Sequence, residues 1–328
     1  MALVTPEDIR TARGRIAGVA TRTPLLPAAW TDGADRSLAL KPENLQPIGA
    51  FKLRGAYNAI AALCERERPP LIVTHSSGNH ARGVAYAARA FGVPATIVMP
   101  DTTPAVKIDA TRALGAEVEL VDPSDRVTRA ERVVAEHGAA LVPPYDDPLV
   151  IAGQGTVGAE ILEDVPDVDI VIAPISGGGL ISGVATAIKA ARPEAHVMGA
   201  EPELAADARE SLRAGERRVW PVERVQRTIA DALRTTSVGE LPWEHIRAKV
   251  DDIVAVSEDE LRAAVRELAL RSRLVVEPGG AAAVAAFLFH ADELPPGRRC
   301  VAIVSGGNVD PALFAEIVST PVDPRSTA

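Results

Sequence analysis

The stretch Leu71-Ile72-Val73-Thr74-His75-Ser76-Ser77-Gly78-Asn79-His80 decides the fold, because it changes character from strand to turn to helix. Leu71 to Thr74 is a short apolar, β-branched run that reads as a buried strand. Ser76-Ser77-Gly78 is a turn, and Asn79 to Phe91 carries a helical pattern. The alternation continues with strand-like Ala95 to Met99, helix-like Pro104 to Leu114, strand-like Glu117 to Val121 and a helix running through Val133. Such alternation predicts a parallel sheet covered by helices on both faces.

A second series follows. Asp169-Ile170-Val171-Ile172-Ala173 is strand-like, a helix begins after Gly179, and His196 to Ala200, Asp252 to Val256 and Cys300 to Val304 are further strands. Ser257-Glu258-Asp259-Glu260 is a capping box that starts another helix. Ala281 to Phe289 has no polar face and predicts a helix buried on all sides. Thr5-Pro6-Glu7-Asp8 combines a hydroxyl cap, a first-turn proline and acids at the positive end of the dipole; it opens an N-terminal helix that reads as a lid or flank. Pro143-Pro144-Tyr145-Asp146-Asp147-Pro148 can continue neither a helix nor a central strand, and is the expected crossover. The expected fold class is α/β, with two open twisted α/β domains.

The chain has 328 residues and 47% hydrophobic content, enough for a large core and more than one domain of about 100–150 residues. A net charge of -9 argues against nucleic acid or an anionic membrane as partner, and points to a small-molecule substrate. Cys64 and Cys300 have no neighbours at metal-ligand spacing and read as buried thiols of a reducing compartment, the cytoplasm. No stretch approaches the ~18 uninterrupted apolar residues of a membrane span, and the first residues lack signal-peptide features.

Three Gly-rich turns follow strand-like runs: Ser76 to His80, Ser176-Gly177-Gly178-Gly179-Leu180 and Ser305-Gly306-Gly307-Asn308. Ligands of open α/β sheets bind outside the carboxyl ends of strands, where these turns fall. In the second, successive glycines let backbone N–H groups converge at a helix start, which suits a phosphate; the first offers hydroxyls, an amide and free N–H groups to a carboxylate. Lys52, in Phe51-Lys52-Leu53-Arg54-Gly55-Ala56, puts an amine where a helix begins. A phosphate cradle, a carboxylate cradle and a lysine able to form a Schiff base are what an enzyme using pyridoxal phosphate on amino acids requires.

On these motifs, with Ala152-Gly153-Gln154-Gly155-Thr156, Glu277-Pro278 and Ser305 to Asp310, the chain resembles the fold type II pyridoxal-phosphate enzymes, specifically the serine/threonine dehydratase and serine racemase group. The resemblance implies a tryptophan synthase β-like architecture with the cofactor between two domains: a large one over residues 1–65 and 149–320, a small mobile one over 66–148, and a flexible tail over 321–328. It implies that Lys52 carries pyridoxal 5'-phosphate, that Phe51 lies against its ring and that Asn79 bonds its phenolic oxygen. Ser176, Gly177, Gly178, Gly179 and Leu180 would bind its phosphate, Ser305 would face the pyridine nitrogen, and Glu277 belongs to the cofactor-binding set. Ser76, Ser77, Asn79 and His80 would hold the substrate carboxylate, with Lys52 and Ser77 the proton-moving pair on opposite faces. Glu201, the carbonyl of Ala205 and Asp207 match the ligand pattern of the cation-dependent members, for Mg²⁺ or Ca²⁺.

The implied activity is β-elimination from L-threonine or L-serine to a 2-oxo acid and ammonia. Serine racemization and threo-3-hydroxyaspartate dehydration are its neighbours; a β-replacement synthase and a non-catalytic amino-acid sensor are more distant readings. Ala50, Ala232 and Ser176 stand where many members have serine, glycine and glycine. Arg126, Arg129 and Arg234 lie in segments that border the substrate pocket in relatives. A homodimer is the expected assembly.

Overall fold

Ile170-Val171-Ile172-Ala173-Pro174 is buried at every position, which a strand tolerates only when both faces of its sheet are covered. In the computed structural model, which describes residues 2–31 and 36–320, this strand lies inside a six-stranded sheet. The strands in chain order are β1 (Leu26–Pro27), β2 (Ser37–Pro42), β3 (Ile72–His75), β4 (Ala95–Pro100), β5 (Glu117–Val121), β6 (Ala140–Leu141), β7 (Ile170–Pro174), β8 (His196–Pro202), β9 (Asp252–Val256) and β10 (Arg299–Val304). The larger sheet runs β1-β2-β10-β7-β8-β9, parallel except at β1; the smaller runs β5-β4-β3-β6, parallel throughout.

Alternation along each strand assigns side chains to faces. Ile170, Ile172, Cys300, Ala302, Leu38 and Leu40 join one core cluster, packed on the apolar helix Pro278–Phe289, which is buried from Pro278 to Phe287. Val171, Ala173, Val301 and Ile303 face the other way, toward the helix Gly179–Ala191. The N-terminal helix Pro6–Ile16 is a flank rather than a lid: Ile9 and Ala12 are buried against Ile151, Ala152, Ala187 and Leu241.

The three strands absent from the sequence reading, β1, β2 and β6, are short or carry polar residues, and β2 places Lys41 and Pro42 inside a sheet. Cys300 is buried as expected, but Cys64 is only half-buried. The expected flexible tail lies outside the described residues.

Close approach of three helices sets the site. A Cβ on Gly153 of the helix Pro148–Asp164 would stand 2.6 Å from the Arg54 carbonyl, and one on Gly183 would stand 2.3 Å from the Ile151 carbonyl. Only glycine permits both crossings, so Lys52–Arg66, Pro148–Asp164 and Gly179–Ala191 pack backbone to backbone. Under this packing lies a buried charge cluster. Arg54 donates to Glu43 at 2.7 and 2.8 Å, to Glu160 at 2.7 and 2.9 Å and to Thr156 at 3.0 Å. Lys41, turned to the same side by strand alternation, donates to Glu160 and to the Thr23 carbonyl, each at 2.6 Å.

Burial alone would raise the Glu43 carboxyl, but the charge and hydrogen bonds of Arg54 outweigh it and hold Glu43 below the usual range. A carboxyl held low supplies stability that is complete above its ordinary value and is lost as pH falls through the lowered one. Arg54→Met strands two buried carboxylates with Lys41 alone and should cost about 3–5 kcal/mol near neutral pH in denaturant unfolding. That gap should narrow on acidification.

Candidate active site

The helix Lys52–Arg66 is crossed at its start by the helix Asn79–Phe91: a Cβ on Gly83 would stand 3.2 Å from the Lys52 carbonyl. The turn after β3 is thereby brought beside Lys52. The Lys52 amine donates to the Pro144 carbonyl and lies 5.2 Å from the centre of the Phe51 ring. No carboxylate pairs with it among the described residues, and burial lowers it to about 7. A substantial fraction of Lys52 is therefore a neutral, nucleophilic amine near neutrality.

The turn after β10 is locked to the same helix start. Phe51 donates its N–H to the Ser305 carbonyl at 3.1 Å, Gly307 donates to Gly49 at 2.9 Å, and Ala50 bridges Gly306. Ser305 is almost fully buried at the end of the central strand β10. Glu277, the residue before the apolar helix, accepts from Asn79 Nδ2 at 2.6 Å. Burial, then the charge of Asp231, pushes its carboxyl up to about 7. Asn79 Oδ1 accepts from Asn308 at 2.6 Å, and Arg82 donates to Asn308, so Asn79 is held in one orientation with a second amide hydrogen to spare.

Ser76 and Ser77 are half-buried in the turn. His80 closes the turn at the start of the helix Asn79–Phe91. Its ring is buried within the smaller sheet's core, with Nε2 at 2.9 Å from the Val142 carbonyl; burial, and then the charge of Lys52, lowers it to about 3. The ring is a neutral support beneath the turn, and the part of His80 suited to an anion is its backbone N–H at the helix start.

The turn after β7 has the geometry of an anion cradle. Gly178 has φ of +89°, Gly179 begins a helix of 13 residues, and Ser176 Oγ lies 3.2 Å from Thr235 Oγ1. A Cβ on Gly177 would stand 2.1 Å from the Tyr145 ring, so with the ring in place the turn leaves no room for a side chain there. The residues present therefore fit a phosphate at Ser176, Gly177, Gly178, Gly179 and Leu180. Sequence reasoning missed Tyr145, Asn308, Arg82 and Thr235, whose residue types carry no signal until the fold brings them in.

Glu201 is the penultimate residue of β8, Ala205 closes a short 3₁₀ turn, and Asp207 starts the helix Asp207–Ala214. Glu201 accepts from the N–H groups of Ala208 and Arg209 at 3.2 and 2.8 Å. Among the described residues neither oxygen of buried Asp207 has a hydrogen-bond partner of bonding geometry, though the nearby N–H groups of Asp207 and Val238 lower its carboxyl against the effect of burial. Such an orphaned buried carboxylate fits a cation. Among the described residues there is no cluster of three or more His, Cys, Asp or Glu side chains suited to a metal, so the third ligand here would be a carbonyl. Arg129 is spent on Glu119 and Glu136, and Arg234 on the Thr228 carbonyl. Among the described residues Arg126 has a buried Nε with no partner, and its charge acts on His75 and Tyr145.

Residues 16–306 match the family described as pyridoxal-phosphate dependent enzyme. The chain is 43% identical to an L-threonine ammonia-lyase of Thermotoga maritima, over 97% of this chain and 79% of that protein. It is 40% identical to an L-threo-3-hydroxyaspartate ammonia-lyase of Saccharomyces cerevisiae, over 97% and 98%. The solved structure of maize serine racemase superposes with a TM-score of 0.91 at 39% identity, covering 96% of this chain and 97% of that one. With the lysine, the glycine turn and the two sheets arranged as above, this chain belongs to the pyridoxal-phosphate dependent enzymes, fold type II.

Proposed function

We propose that the chain is an ammonia-lyase that dehydrates and deaminates L-threonine and L-serine to 2-oxo acids. The observation that carries this reading is the Lys52 amine at a helix start, paired with no carboxylate among the described residues, beside the turn after β10 and 6.0 Å from the Tyr145 ring that lies on the glycine turn. Bound there, pyridoxal 5'-phosphate supplies the electron sink that makes the substrate's α-proton acidic and lets the β-hydroxyl leave. Ser176 to Leu180 would hold its phosphate, Phe51 would lie against its ring and Asn79 would donate to its phenolic oxygen. Ser305 would offer the ring nitrogen a hydroxyl, which does not force a proton onto it.

The N–H groups and hydroxyls of Ser76, Ser77, Asn79 and His80 hold the substrate carboxylate. Lys52, as a neutral amine, would take the α-proton, and Ser77 would serve the opposite face. Serine racemization is the second reading, favoured by Ser77; the unpartnered Nε of Arg126 favours an acidic β-substituent as in 3-hydroxyaspartate.

Residues 66–148 form the moving unit in this reading. Among its contacts with the rest, Lys107 pairs with Asp231, Arg82 with Asn308 and Asn79 with Glu277. A second copy of the chain would find apolar surface at exposed Leu45 and Val275, neighbours through the Asn44 bond to the Val275 carbonyl. No described helix is long and apolar enough to cross a membrane, and the two unpaired cysteines support a cytoplasmic setting.

The cation reading rests on Glu201, the Ala205 carbonyl and Asp207, holding Mg²⁺ or Ca²⁺ with water completing the shell. Burial and mutual repulsion raise Glu201 well above the usual range, and burial raises Asp207 to about 7. Carboxyls raised in this way supply stability that is present at low pH and lost as pH rises through the raised values. Added cation should recover that loss.

Keto-acid and chiral assays on L-threonine, L-serine, D-serine and threo-3-hydroxyaspartate test the activity. Keto acid should form fastest from L-threonine and L-serine, and Lys52→Ala should lose roughly 10³-fold or more. D-serine accumulating faster than pyruvate would transfer the assignment to the racemase reading. For the cation, the unfolding temperature near pH 8 should fall with chelator and return with Mg²⁺ or Ca²⁺, an effect that fades by about pH 5 and disappears in Asp207→Asn. Indifference to chelator at both pH values would count against the site.

A further inference from the structure

The segment Pro144 to Asp147, which leads from β6 into the helix Pro148–Asp164, is engaged at each residue. The Pro144 carbonyl accepts the Lys52 amine. The Asp146 carboxylate accepts from Glu240 and Leu241 at 2.9 and 3.0 Å, fixing the start of the helix Glu240–Lys249. Asp147 accepts from Leu149 and Val150 at 2.7 and 3.0 Å and caps the helix that follows it. Between them the Tyr145 ring lies over the glycine turn. A Cβ on Gly177 would stand 2.1, 2.2 and 2.3 Å from its Cδ1, Cγ and Cε1, and one on Gly179 would stand 3.0 Å from the Tyr145 Cβ. The ring centre is 6.0 Å from the Lys52 amine.

The turn at Gly177 to Gly179 has no side chains of its own to hold it, and Gly178 adopts a left-handed conformation. Such backbone keeps one shape only when something packs on it, and an aromatic ring does so over a large area with few torsions to freeze. We propose that Tyr145 is a positioning residue for the cofactor: its ring seats the glycine turn while the adjoining Pro144 carbonyl holds the Lys52 amine. One strap thus fixes the spacing between the two points at which the cofactor is attached. The contact is made by ring carbons, so the ring rather than the phenol does the positioning. This rests on the reading of Ser176 to Leu180 as the phosphate turn.

The test strips holoenzyme of cofactor and titrates it back with pyridoxal phosphate, reading affinity and the position of the visible absorption band. Tyr145→Phe should behave as wild type. Tyr145→Ala should bind roughly 10-fold or more weakly with a displaced band, and Gly177→Ala, whose methyl drives into the ring, should also weaken binding by roughly 10-fold or more. The decisive variant is the double one, in which the added methyl occupies the vacated space. Tyr145→Ala with Gly177→Ala should bind no more weakly than the poorer single variant. Wild-type affinity in Tyr145→Ala, or losses that add in the double variant, would overturn the strap. Wild-type affinity in Gly177→Ala would instead remove the phosphate-turn reading, and the strap with it. A Tyr145→Ala chain that fails to fold leaves the Gly177→Ala and Tyr145→Phe titrations to decide.

Discussion

Two cations and two carboxylates, Arg54, Lys41, Glu43 and Glu160, are enclosed together with almost no access to solvent. In a medium of low polarity such a set persists only if each charge has its partner in place, so the cluster acts as a constraint on geometry more than as a source of stability. It ties β2, the short turn after it, the helix Lys52–Arg66 and the helix Pro148–Asp164 to one another. Because Arg54 follows Lys52 by two positions, fixing the guanidinium on one side of the helix fixes the amine at its mouth. Two lysines illustrate the division. Lys41 meets a carboxylate and is structural, whereas Lys52 meets only a carbonyl and two aromatic rings and is left reactive.

The rest of the site follows from that placement. Glycines at the helix crossings bring the start of Gly179–Ala191 into fixed relation with the start of Lys52–Arg66, with the Tyr145 ring lying on the glycine turn and 6.0 Å from the amine. The end of β10 is stitched to Phe51 and Gly49, which puts Ser305 across from the lysine. Asn79 reaches over from the smaller sheet to Glu277, a carboxyl poised near neutrality.

Much of this was legible in the sequence, for identifiable reasons. Buried parallel strands such as β7 read as apolar runs, glycine turns read as sharp breaks after them, and the apolar helix Pro278–Phe289 has no polar side to disguise it. What was illegible had no local signature. Lys41, Glu43 and Arg54 look like solvated charges until the fold turns them toward one another. His80 looks like a ligand group but supports the turn from inside, and Tyr145 belongs to a run that announces only a chain crossover. The short strands β1 and β6 form because neighbouring strands already present an edge, which no window of sequence around them could reveal.

The central claim is that Lys52, placed by the buried cluster and lowered by burial, is the residue that carries the cofactor. Reduction of the cofactor-loaded protein with borohydride, followed by peptide mapping, tests it directly. The account predicts a pyridoxyl group confined to the peptide containing Lys52; label on Lys41, Lys107 or any other lysine, with Lys52 unmodified, would contradict it.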